Sequence, residues 1–437
     1  MRKSIWRAFG FAALFAFVSL AQPALAQVKD NVFKLGIVTF MSGPGAESFG
    51  APSWYAAQRL VQALNEGGQV PAPYDKVGFG GLKVDISVID ESGGTTKQVQ
   101  DLRNAYQRDG YDAIIGYISS SNCLAAAPVA EELKKLLILF DCGTPRIFED
   151  GNYQYVFRNS SHATMDNVAL VRYLQKRHIK VDTAAGINPD YAYGRDNWKD
   201  FIQSLQKVSK DTKVGAELWP KLGAGQYGTE ISALQQTNPS IIHTSLWGGD
   251  LQAFILQSAP RGLFKGREVV IMAGDHVLHA LGKRMPEGVI IGARGVGGPF
   301  AVKSALNDWL IGSTQKHEPG VMPSQGHYRM TQSVLGLKAA VEKAMAANGN
   351  KKPTTEQIAA ALTGLEWDTP SGKIKMALGN GHQAIQANAI GRTKWDPQRN
   401  AMTVTDVETF AAECVNPPPG IKSEAWIAQG FPGAKCN

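Results

Sequence analysis

From residue 33 to residue 274 the chain alternates two periodicities. FKLGIVTF (33–40) is a short apolar run with the β-branched content of a buried strand, and it opens into the glycine-rich turn MSGPGAESFG. APSWYAAQRLVQALNEGG then repeats apolar residues at helical spacing and stops at a glycine pair. The same exchange recurs through LKVDISVID (82–90), TTKQVQDLRNAYQRDG, YDAIIGYI (111–118), CLAAAPVAEELKK (123–135) and LLILFD, and it continues to EVVIMAG. A strand that regains its neighbour through a helix pairs in parallel, and crossover helices cover both faces of the sheet. The expected class is therefore α/β, doubly wound. After residue 300 the rhythm breaks. ALNDWLIGS and HYRMTQSVLGLKAAVEKAMAANG are helices with no strand between them, and TTEQIAAALTGLEWDTPSG is a helix running into a turn. GHQAIQANAIGRTKWDP then reads as two late strands. Such an order suits a chain that returns to two domains already begun.

The first residues set an expected compartment. Arg2, Lys3 and Arg7 precede an apolar run over 8–21, and Ala24-Leu25-Ala26 is a small-x-small cleavage site before Gln27. This is the pattern of a cleavable secretory signal peptide over 1–26, and the apolar run is too short to serve as an anchor. No cysteine follows it, so a lipid anchor is not expected and the mature chain is placed free in the periplasm. Loss of those three positive charges takes the formal charge from +7 to +4. That is too diffuse for a nucleic-acid partner. An oxidising compartment permits disulfides among Cys123, Cys142, Cys414 and Cys436. Cys414 and Cys436 bracket a Pro- and Gly-rich tail and are the favoured pair. Cys123 and Cys142 stay open between a bridge and two small buried side chains.

Signatures of catalysis are weak. GAGQYG (223–228) spells G-x-G-x-x-G, but it follows WPKL instead of a strand and precedes barely two helical turns. It reads as a connection, and no dinucleotide or other cofactor is expected. No G-x-S-x-G elbow occurs. His276 and His279 stand three apart without an H-E-x-x-H frame or a third ligand, so no metal is expected. The chain does not read as an enzyme.

GIVTFMSGPGAESFG, the acidic pair in VIDESGG, IGYISSSNCLAAAPVAEE, CGTP, YVFRNSS, NPDYAYG and GNGHQ occur in this order between Phe33 and Pro397. In order and spacing the chain resembles the type I periplasmic solute-binding proteins of ABC transporters, in particular the leucine/isoleucine/valine-binding family. The resemblance implies two doubly wound parallel-sheet lobes joined by three crossing segments, with a ligand between them. The crossings would lie near Arg158–Ser161, Ala293–Gly297 and Leu365–Ser371. Lobe one would comprise 27–158 and 296–366, lobe two 159–295 and 367–412, with 413–437 a disulfide-closed tail. The partners implied are a small-molecule ligand and an inner-membrane ABC permease, with the protein a monomer. A sensing receptor of the same fold would need a tether, and none is evident.

The site can be read physically. GYISSSNC joins a strand end to a helix start, and ligands of open α/β sheets bind there. The unpaired N–H groups and the dipole of that helix favour an anion. Ser120 and Ser121 add hydroxyl donors, although serines before a helix also serve as caps. By resemblance, Ser120 meets a ligand carboxylate, and the Cys142 backbone and Thr144 hydroxyl face the ligand from the next strand end. From lobe two, Tyr193 and Trp247 match aromatic positions that reach the ligand. Asp275 falls where an acidic residue meets an ammonium group, or else it caps a helix. Phe49 would cover the ligand's side chain, and Tyr117 would add to an aromatic end of the pocket. Such a pocket suits a hydrophobic amino acid or, as the alternative, an aromatic carboxylate. The residues Asn122 and Cys123, the cysteine positions and the long tail depart from the family pattern.

Overall fold

The computed structural model describes residues 31–436. The signal-peptide expectation lies outside them. Lobe one opens with β1 (Val32–Thr39), α1 (Ala51–Glu66), β2 (Lys83–Asp90), α2 (Gly94–Gln107), β3 (Ala113–Gly116), α3 (Ser120–Leu133), β4 (Leu136–Leu139), α4 (Arg146–Asp150) and β5 (Val156–Arg158). Lobe two follows with α5 (Ala163–Lys176), β6 (Thr183–Ile187), α6 (Ala192–Val208), β7 (Lys213–Leu218), α7 (Gly228–Thr237) and β8 (Ile241–Thr244). It continues with α8 (Gly248–Ser258), β9 (Glu268–Ile271), α9 (Leu278–Leu281) and β10 (Ile290–Gly292). The chain returns to lobe one for α10 (Ala305–His317), α11 (Gln325–Ala347), α12 (Thr355–Leu362), β11 (Glu366–Thr369), β12 (Gly372–Leu378) and β13 (Gln383–Ile385). It closes lobe two with β14 (Asn388–Asp396) and β15 (Ala401–Phe410), and the tail carries α13 (Ala412–Val415) and α14 (Ser423–Ala428).

Among the described residues the lobe-one sheet has the order β11-β12-β13-β5-β4-β3-β1-β2, and the lobe-two sheet β15-β14-β10-β9-β8-β6-β7. The alternating segments pair in parallel, as their crossovers require. The late strands are antiparallel additions, so the sheets are mixed instead of purely parallel. Each sheet is sandwiched between two apolar clusters. In lobe one, Leu35, Ile37, Leu60 and Val334 pack on one face. Ile114, Tyr117, Ala126 and Leu137 pack on the other. Local chemistry sets the helix ends. Gly67, at φ +72°, terminates α1, and a reciprocal Thr354–Gln357 capping box starts α12.

Two expectations need correction. The third crossing is not at Leu365–Ser371. That segment is β11 and its turn, which pairs with β12 inside lobe one. The passage falls between β13 and β14, at Gln386–Ala387. Residues 367–385 therefore belong to lobe one, because β12 and β13 extend its sheet through the single parallel pair Gln383–Arg158. The first crossing leaves β5 at Arg158. The second runs through Ala293–Gly297, but Phe300 still packs in the lobe-two core before α10 joins lobe one. Both disulfides form: Cys414–Cys436, and also Cys123–Cys142, which the sequence left open.

Candidate functional site

The ends of β3 and β4 in lobe one face the ends of β6, β8 and β9 in lobe two, and the lobes touch. The Gly249 N–H donates to the Pro44 carbonyl at 2.8 Å. The Thr144 hydroxyl donates to Asp196 at 2.5 Å, and the Gln325 N–H donates to Asp275 at 2.7 Å. Between the lobes lies a tight cavity, with about 10 Å³ open to the centre of a water-sized sphere. Phe49, Ile118, Asp141, Gly143 and Gln325 line it from lobe one, and Tyr191, Tyr193, Trp247, Ala273 and Arg294 from lobe two.

The aromatic wall is continuous. Trp247 stands 5.8 Å from Phe40 and 6.2 Å from Phe49, ring centre to ring centre, and its indole N–H donates to the Tyr191 hydroxyl at 3.0 Å. Phe49 meets the edge of His276 at 5.3 Å. Burial pushes His276 down to about 3, so it is neutral, and its Nε2 accepts the Gly248 N–H. The floor is the loop Asp141–Thr144, which is pinned from every side. Ser120 Oγ accepts the N–H groups of Gly143 and Thr144 at 3.1 and 3.2 Å. Arg158 donates to the carbonyls of Cys142 and Thr144, and the Cys142 side chain is bonded to Cys123 on α3.

Arg294 is the charged group of the cavity. Its Nε donates to Asp166 at 3.0 Å, and its Nη1 and Nη2 donate to the carbonyls of Asp141 and Ser161 at 2.6 and 2.8 Å. Burial opposes its charge, but Asp141 and Asp166 outweigh that and hold the guanidinium above its ordinary value. The Tyr193 ring stands 5.4 Å from the guanidinium carbon. Burial raises the Asp141 carboxyl, while Arg294, Arg329 and the Gln325 amide counter it. Among the described residues, the one carboxylate lining the cavity is thus already matched by two arginines.

Of the residues expected at the site, Phe49, Tyr193 and Trp247 line the cavity, and Ser120 holds its floor. The structure places the others as follows. Tyr117 lies on the far face of the lobe-one sheet, in the core against Cys123 and Ala127. Ser121 is not among the lining residues, since the first turn of α3 carries it off the cavity. Cys142 contributes backbone to the floor while its sulfur points away into the disulfide. The Thr144 hydroxyl is spent on Asp196. Asp275 is a cap: its Oδ2 accepts the first N–H of α11, and burial lifts its carboxyl to about 7. The place expected to take an anion, at the start of α3, is filled by an internal carboxyl group. Glu91 accepts from the N–H groups of Ile118 and Ser119 and from the Asn122 amide, at 2.8, 2.7 and 3.1 Å. Burial raises that carboxyl to about 8. Sequence reasoning missed Arg294, Tyr191, Asp141 and Gln325. Arg294 had a legible signal, a lone arginine inside the expected crossing Ala293–Gly297.

The GAGQYG loop also wraps a carboxylate of the chain itself. Gly223 and Gly225, at φ +79° and +65°, aim their N–H groups at Asp250 from 2.6 and 3.2 Å.

A family model described as periplasmic binding protein matches residues 32–399. The leucine-, isoleucine-, valine-, threonine-, and alanine-binding protein of Pseudomonas aeruginosa is 22% identical over 366 residues, covering 83% of this chain and 90% of that protein. The Leu/Ile/Val-binding protein of Escherichia coli K12 is 23% identical over 266 residues, covering 60% and 67%. Among solved structures, an ABC-transporter solute-binding protein of Rhodopseudomonas palustris BisB5 in complex with 3,4-dihydroxy benzoic acid superposes with a TM-score of 0.73. It is 21% identical over 88% of this chain and 98% of that one. An ABC-type branched-chain amino acid transporter of R. palustris CGA009 superposes with a TM-score of 0.63 at 25% identity, over 88% and 98%.

Proposed function

The chain is a solute-binding protein of the periplasmic binding protein family, and from that premise we propose that it delivers a small carboxylate with an aromatic body to an ABC importer. One observation carries the choice of ligand: the cavity is walled by Phe49, Tyr191, Tyr193 and Trp247, while its carboxylate, Asp141, is paired with Arg294 and Arg329. An aromatic ring gains from that wall by burial and by edge-to-face contact. A free ammonium group would need a carboxylate with charge to spare at the cavity, and Asp275, whose Oδ2 holds the start of α11, does not line it. The ligand's negative end is assigned to the side of Arg294, Gly143 and Ser120. Ser120 Oγ accepts two N–H groups there, which leaves its proton free to donate.

The second reading is a hydrophobic amino acid, with Asp141 turned to the ammonium group. Its support is that Asp141 does line the cavity.

Binding is a closure equilibrium, and the ligand shifts it by its differential affinity for the two states. Lobe one presents the floor and Phe49, lobe two brings Tyr191, Tyr193, Trp247 and Arg294, and the closed form is what a permease meets. No chemical step is assigned. Export by the leader over 1–26 places the monomer in the periplasm, where the importer draws from it.

Thermal-shift titration of the mature chain with benzoate, 4-hydroxybenzoate, leucine and NAD tests this. A ligand at a hundred times its Kd stabilises by about 2.7 kcal/mol. Stabilisation by the benzoates and not by leucine is expected. Stabilisation by leucine alone transfers the assignment to the second reading, and stabilisation by NAD alone removes both.

A further inference from the structure

The tail lies beyond the residues matched by the family model, which end at 399, and its packing gives it a task. It is seated on lobe two. Cys414, Val415, Trp426 and Ile427 are buried in one cluster with Leu174 of α5 and Phe201 of α6. Arg172 of α5 donates to the Cys414 carbonyl at 3.0 Å, and Lys199 of α6 pairs with Glu424 at 2.7 Å. The Cys414–Cys436 bridge closes this loop on itself.

One stretch of the tail reaches the other lobe. The Ser423 N–H donates to Glu149 of α4 at 3.0 Å, the Ser423 hydroxyl donates to the same oxygen, and Lys422 Nζ donates to Asp150 at 2.8 Å. Ser423 is buried, whereas the Lys422–Asp150 pair is exposed and contributes little. The α4 helix follows directly on the cavity floor, and Thr144 and Arg146 at its start already bond Asp196 of α6. The floor loop is thus tied to lobe two twice, through α6 and through the tail.

We propose that the disulfide-closed tail is a strap across the cleft edge, in which Ser423 holds Glu149 and biases the ligand-free protein toward its closed form. Because the apolar side of the tail is fixed in the lobe-two core, an opening that separates α4 from α6 breaks the Ser423–Glu149 bonds. Ser423 and Glu149 are positioning residues for closure and touch no ligand. The inference rests on the two-lobe closure reading but on no ligand identity.

The test uses the ligand-free, full mature chain with both disulfides intact. Small-angle scattering of Glu149→Ala is expected to give a larger radius of gyration than the wild type. Amide exchange at Ser423 is expected to lose its protection. The Lys422→Ala/Ser423→Ala double variant approaches the same bonds from the other side and should shift the scattering in the same direction. Glu424→Ala, which breaks a pair within lobe two, should leave the scattering unchanged. Wild-type scattering in both strap variants, with wild-type protection of Ser423 in Glu149→Ala, overturns the proposal.

Discussion

Gly143→Ala places a methyl group where only the closed form has no room for it. A Cβ on Gly143 would stand 2.4 and 2.6 Å from two carbons of the Tyr193 ring and 2.9 Å from Arg294 Nη2. Carbon atoms pack at about 3.5–4.0 Å, so the facing groups must retreat by roughly 1 Å. All three atoms belong to lobe two, while Gly143 belongs to lobe one, so separating the lobes relieves the clash completely. Overpacking of this size costs about 1–3 kcal/mol, and here the cost falls on the closed form. Affinity is expected to drop about 5- to 150-fold, since each 1.4 kcal/mol is tenfold. The ligand-free melting temperature should fall less than that of Gly194→Ala, because the open form escapes the clash. Gly194→Ala is the contrast: its Cβ would stand 2.0 Å from the Pro189 carbonyl oxygen within lobe two, which is a folding lesion. Calorimetric titration with the binder found in the ligand panel, beside thermal melts of both ligand-free variants, separates the two effects. Affinity of Gly143→Ala within twofold of wild type, or a melt as depressed as that of Gly194→Ala, would refute the reasoning.

Arg294→Ala leaves Asp166 and Asp141 buried without their shared cation. A stability loss of about 3–5 kcal/mol is expected in denaturant melts, and a loss under 1 kcal/mol contradicts the charge network described. Trp247→Ala removes the centre of the aromatic wall. Affinity should fall by about 2 kcal/mol, roughly thirtyfold, with the fold retained by circular dichroism. Burial raises the Glu91 carboxyl from 4.5 to about 8, so the folded chain keeps a proton that the unfolded chain releases. The stability from that proton is full below pH 4.5 and is lost as the pH rises to about 8. The melting profile of Glu91→Gln should therefore be flatter than that of wild type across this window, and parallel profiles count against the assignment. Replacing Cys414 and Cys436 with serine opens the tail loop and should cost about 3 kcal/mol in chemical denaturation.

The fold was legible where one segment's periodicity determines its partner. Strands from Val32–Thr39 to Glu268–Ile271 each precede a helix, and a parallel sheet is what that order builds. It was not legible where the partner is distant. Nothing local in GKIKMAL or AMTVTDVETF says which sheet edge they join, so β12 and β15 were missed and the third crossing was misplaced. The site divides the same way. Phe49, Tyr193 and Trp247 sit at strand or helix ends whose order along the chain fixes that they face the cleft. Ser120 holds the N–H groups of the floor loop, and the helix start where it was expected to help bind an anion is filled by the internal carboxyl of Glu91, which follows β2. Asp275 and Asp141 show the limit most clearly. Which carboxylate is free depends on the arginines and helix ends that reach it from the other lobe, and no spacing along the chain encodes that.

A crystal structure of the mature protein with the panel's strongest binder tests the central claim most directly. The account predicts the bound molecule between Gly143, Tyr193 and Trp247, its ring against the aromatic wall and its carboxylate on the side of Arg294 and Ser120. A ligand seated outside the two lobes, or a cleft sealed by side chains while the ligand is bound elsewhere, would contradict it.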